Sequence, residues 1–139
     1  MAGEEASVGA IDDIDIVRRY ADARLEPVPA ADGRRHTKYA TLYRERHGTI
    51  VAMFHFPSRS GRAGSGTCGL YLRADVAQGL PFGLASQVRR YGVDAARGSF
   101  CSNATCRQDL GLGRAVVRFR LDTRAAFEAM IDAIATAPL

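Results

Sequence analysis

The chain has 139 residues, 47% of them hydrophobic and 24% charged, with a formal charge of +4. That length suits one domain with a real core. No apolar run approaches the ~18 residues of a membrane span, and three cysteines, an odd number, argue against a secreted disulfide framework.

The N-terminus begins Met1-Ala2-Gly3-Glu4-Glu5 and has no apolar signal-peptide region. The expected location is therefore the cytoplasm. The basic residues are eighteen arginines and Lys38, a bias that a GC-rich genome alone would give. The layout of charge says more than its total. Residues 1–32 hold eight carboxylates against three arginines, a net −5, and residues 33–139 hold sixteen basic groups against seven acidic ones, a net +9. An acidic leader on a basic body can pack against that body or compete with an anionic partner for it.

Residues 1–10 read as a flexible, acidic N-terminus, and 11–139 as a single α+β domain. Ile11, Ile14, Val17, Ala21 and Leu25 follow helical spacing, which predicts a helix over 12–25. Asp12, Asp13 and Asp15 suit its first turn, and Pro27 and Pro29 end it. Residues 30–35 form a polar linker with an Asp32-Gly33 turn pair.

Strands are expected over 39–46, 49–56 and 68–73, the first two joined by a His47-Gly48 turn. In 49–56, Ile50, Ala52, Phe54 and Phe56 share one face and Val51, Met53 and His55 the other. Both faces are largely apolar, so this strand is expected near the middle of the sheet and covered on both sides. Leu84, Val88 and Tyr91 predict a helix over 81–91, with Pro81 in its first turn and Gly92 as its stop. A short strand is expected over 99–101.

Over 114–121, Ala115, Val117, Phe119 and Leu121 alternate with Arg114, Val116, Arg118 and Arg120, the pattern of a strand with a basic outer face. Asp122 or Thr123 caps a last helix over 124–135, whose stripe is Phe127, Met130, Ile131 and Ile134. The expected fold is a two-layer α+β sandwich. Its mainly antiparallel sheet of four to five strands is packed by N-terminal, middle and C-terminal helices. Phe54 and Phe119 are expected to be buried on different strands. Several small bacterial domains share such an element order, but no residue-level motif names a family.

Functional signals are sparse. The loop Gly61-Arg62-Ala63-Gly64-Ser65-Gly66-Thr67 lacks the lysine and following helix of a phosphate-binding Walker loop. Arg59 and Arg62 could still close over an anion. Cys101 and Cys106, with Cys68 and His55, would supply four zinc ligands, but no second paired-cysteine knuckle exists, so no metal and no cofactor are expected. His55 at a strand end is a candidate base or ligand. Glu45 and Asp75 are the carboxylates in or beside the hairpin region, too few for paired-carboxylate chemistry.

The fullest constellation is a basic sheet face. Arg114, Arg118 and Arg120 would combine with Arg44, Arg46 and Arg73, interleaved with Tyr39, Tyr43 and Tyr71. The expectation is a non-enzymatic binding domain whose arginine-rich surface meets an acidic protein surface or a nucleic acid, and not a membrane; a homodimer stays open. One alternative is a small-ligand or metal-binding domain, an enzyme among the options, around His55, Arg59 and Arg62. Another is an inhibitor or immunity-type protein.

Overall fold

The computed structural model describes residues 11, 13–28, 40–56, 66–91 and 115–137. Among them are helix α1 (Ile14–Asp22) and strands β1 (Glu26–Pro27), β2 (Ala40–Arg44), β3 (Ile50–Phe56) and β4 (Thr67–Arg73). A short helix α2 (Ala74–Ala77), strands β5 (Gln87–Tyr91) and β6 (Val116–Leu121), and helix α3 (Arg124–Thr136) follow. The class is α+β, with six strands in one antiparallel sheet of order β1-β2-β3-β4-β6-β5.

Period-two alternation sets which residues go where. Tyr43, Val51, Met53, Cys68, Leu70, Leu72, Val117, Phe119 and Leu121 join one buried core with Val17 and Ala21 of α1 and Phe127, Met130, Ile131 and Ile134 of α3. The α3 residues recur at three, four and seven, so one stripe faces the core. Thr123 caps the helix by accepting from the Ala126 N–H, and Asp13 caps α1 by accepting from Asp15. Tyr20 of α1 and Arg24, two residues past its end, both donate to Asp132 of α3, at 2.8 and 2.9 Å, and pin the two helices together.

The opposite side chains of the strands form a second cluster: Val28, Leu42, Ile50, Ala52, Tyr71, Tyr91 and Val116. Ile50, Val51, Ala52 and Met53 are all fully buried, as a strand apolar on both faces requires. Phe119 is fully buried as expected, whereas Phe54 is only half-buried at the margin of this second cluster.

Two expectations are corrected. The sheet has six strands, not four to five, because β1 adds to the β2 edge and β5 adds to β6. Proline is tolerated in β1 because it lies on an edge. The stretch 81–91 is not a helix but a 3₁₀ turn at Phe82–Leu84 followed by β5. Pairing with β6 outweighs the helical spacing of Leu84, Val88 and Tyr91. In the strand, Val88 packs toward the helix-side core and Tyr91 belongs to the second cluster. The middle helix is thus reduced to the four residues of α2. The expectations for 1–10, for the 30–35 linker and for a strand at 99–101 lie outside the described residues.

Candidate functional site

Strand register assembles the candidate site on the sheet face opposite α1 and α3. Tyr71 of β4 lies directly across from Arg118 of β6, which lies directly across from Arg89 of β5. One row along, Phe54 faces Gly69, Gly69 faces Arg120, and Arg120 faces Gln87. Directly opposed residues in an antiparallel pair point to the same side. The face therefore carries Arg89, Arg118 and Arg120 beside Phe54, Phe56, Tyr71 and Tyr91.

Rings and guanidinium groups interlock there. Phe54 meets Tyr71 edge-on at 5.3 Å, and Tyr71 stacks on Tyr91 at 6.4 Å. The Arg89 guanidinium stands 5.1 Å from the Tyr91 ring centre. Arg118 donates through Nη2 to Gln87 at 2.8 Å, while its Nε is buried without a partner. Burial raises the Tyr71 hydroxyl pKa above its ordinary value, and the neighbouring Arg118 works in the other direction. Arg120 is half exposed and reaches Asp122 at 3.1 Å, an exposed pair of small energetic weight.

Arg89 and Arg118 are like charges set opposite each other, an arrangement that destabilises a bare sheet. Among the described residues, no carboxylate lies within ion-pair distance of either one. An anion placed between them would relieve the repulsion and supply acceptors for the guanidinium forks.

The other expected site residues separate. Arg44 and Arg73 have the right strand parity but stand at strand ends, where Arg44 donates to Gly48 O at 3.0 Å and Arg73 to Asp75 at 2.6 Å. Arg46 lies exposed in the β2–β3 turn. Tyr43 is corrected: it is adjacent to Arg44 in the strand and so points the other way, fully buried, its hydroxyl donating to Asp22 at 2.8 Å. His55 is corrected too. It is 4% exposed, and its Nε2 lies 2.7 Å from the Ile11 carbonyl, so it ties the chain ahead of α1 to the sheet rather than facing a ligand. Cys68 is a core residue whose thiol pKa burial pushes up to about 12. Arg59, Arg62, Arg114, Tyr39, Cys101 and Cys106 lie outside the described residues.

Gln87, Arg89 and Tyr91 of this face are hidden in the sequence because the spacing of Leu84, Val88 and Tyr91 also fits a helix and both parities of 87–91 carry an arginine; the register with β6 places them here.

A second concavity, of about 750 Å³, lies between the β2–β3 turn, α2 and the end of α3, and is lined in part by His47, Thr49, Arg73, Asp75, Gln78 and Thr136. Behind it the buried Glu45 carboxylate accepts from the backbone N–H groups of His47 and Thr49, both at 2.9 Å, and from the Thr49 hydroxyl at 2.8 Å; its other contact is the His47 ring. Burial works to raise the Glu45 pKa. The hydrogen bonds from His47 and Thr49 outweigh it and hold the carboxyl below its ordinary value. Glu45 thus closes the turn, with Gly48 at φ +89° supplying the left-handed residue. Among the described residues, no group of three or more potential ligands could hold a metal ion, and no helix is long and apolar enough to cross a membrane.

No protein-family model, curated protein or solved structure matches the chain, so the geometry itself supports the functional reading.

Proposed function

We propose that this chain is a non-enzymatic binding domain whose β4–β6–β5 face engages an anionic macromolecular partner. The reading treats the domain as a two-layer sandwich, helices over one side of the sheet and the partner over the other. The opposed Arg89–Arg118 pair carries it. A sheet that sets two arginines directly opposite each other, with Arg120 one row away, gains stability when an anion bridges them.

Binding to immobilised heparin, a generic polyanion, tests the reading. The wild-type chain should be retained at ~50 mM salt, and the triple variant Arg89→Gln/Arg118→Gln/Arg120→Gln should elute at distinctly lower salt. Flow-through of the wild type, or equal retention of both proteins, overturns the proposal.

A further inference from the structure

We infer that the occupant of this face is a single-stranded nucleic acid, with a base stacked on Phe56 and the adjoining phosphates held by Arg89, Arg118 and Arg120. The inference rests on the anionic-partner reading and names its chemical class.

Phe56 is 46% exposed at the end of β3, one of two large exposed hydrophobic residues among those described. Its ring lies over Gly69, which is buried: a Cβ placed on Gly69 would stand 3.3 Å from Phe56 Cε2, 3.7 Å from Tyr71 Cε1 and 3.8 Å from Arg118 Cδ. The missing side chain at Gly69 thus lets the Phe56 ring settle onto the strand beside Tyr71 and the stem of Arg118, while part of the ring stays exposed. A base can stack on a ring held in this way, and base–aromatic stacking tolerates any base because each has a π-face.

The charged rim completes the match. Arg118 and Arg120 are two residues apart on one strand, so they project about 7 Å apart along it. The stem of Arg118 lies beside Gly69, next to the Phe56 ring, and Arg120 directly across from Gly69 is half exposed. A phosphate next to a stacked base would accept from the Arg120 guanidinium. Heparin offers the charge without the ring, and an acidic peptide likewise. Duplex DNA offers the charge while keeping its base faces stacked on each other. Of these four polyanions, the unpaired strand alone supplies both groups.

The test compares probes as well as variants. Labelled oligothymidylate, duplex DNA of equal length, heparin and a polyglutamate peptide are titrated against the full chain at ~50 mM salt. Oligothymidylate should bind tightest. Phe56→Ala should lower its affinity roughly tenfold and Phe56→Leu nearly as much, since stacking needs a ring, while heparin binding stays unchanged. Arg120→Gln should weaken both and make the oligothymidylate salt slope shallower by about 0.7. The chain has no tryptophan, so Phe56→Trp installs a single indole whose emission oligothymidylate, but not heparin, should quench. Oligothymidylate and heparin binding that Phe56→Ala leaves untouched would overturn the stacking inference while leaving the anionic face standing. Tighter binding of polyglutamate or duplex would do the same. Failure of all four probes to bind would overturn both.

Discussion

The two faces of the sheet are made from the same strands and serve opposite ends. Along β6 the helix-side residues Val117, Phe119 and Leu121 are all essentially buried. On the other side Val116 is fully buried, Arg118 partly so, and Arg120 exposed. One face is uniformly apolar; the other grades from core to charge within five residues. Alternation lets a single strand anchor a fold on one side and present charge on the other, since neighbouring side chains never share a surface. Substitutions on the first face should therefore register as lost stability, and those at the charged end of the second as lost binding.

The largest expected effect is on the helix side. Phe119→Ala should cost about 3–5 kcal/mol, because a fully buried ring touching Phe82 at 5.0 Å leaves a cavity in the helix-side core. Phe54→Ala, at a half-buried position, should cost distinctly less. Denaturant melts of the two variants check this, and equal losses would mean that the second face is as tightly packed as the first.

Glu45 sits between the faces, at the turn that sets the β2–β3 register, and its removal should have an intermediate effect. Glu45→Gln keeps the shape but not the charge, and should cost about 1–3 kcal/mol at neutral pH. The folded-state pKa of Glu45 is depressed, so its contribution is complete above the ordinary carboxylate value and is lost as pH falls through the folded value. Stability measured from pH 7 downward should accordingly fall less steeply in acid for Glu45→Gln than for the wild type. Parallel curves would show that Glu45 is not held ionised by the turn.

The smallest effect sharpens the contrast most. Arg89→Gln removes one of two opposed cations and should leave stability unchanged or raise it by a few tenths of a kcal/mol. A thermal melt decides, and a loss on the scale of a core substitution would make this arginine a structural element instead.

Much of this was legible in the chain. The run Ile50–Phe56 is apolar at both parities, which places it inside the sheet, and Val116–Leu121 alternates arginine with apolar residues, which shows its charged side. Thr123 and the spacing of Phe127, Met130, Ile131 and Ile134 mark α3 to within a residue. What stayed hidden depended on pairing. Only the register with β6 reveals that Gln87–Tyr91 is a strand, because its local spacing also fits a helix. Aromatic character alone puts Tyr43 with the arginines, whereas its adjacency to Arg44 sends it to the other side. In the sequence Phe56 is one more apolar position, since composition does not distinguish a residue that packs from one left at a strand's end.

The place of β6 between β4 and β5 bears on the order in which the face comes into being. A chain synthesised as far as Tyr91 already holds β1 to β4, which pair in sequence order and leave one edge of β4 open for β6. Among the described strands, β5 has no neighbour until β6, which comes later in the chain. Arg89 meets no facing arginine before then, and Gly69 and Tyr71 have no charged neighbour across the sheet. The charged face is therefore absent from any nascent or truncated chain that stops short of β6, and arises in one step when that strand inserts. Affinity for an anion would thus be a property of the completed sheet, withheld from every length of the sequence that stops short of β6.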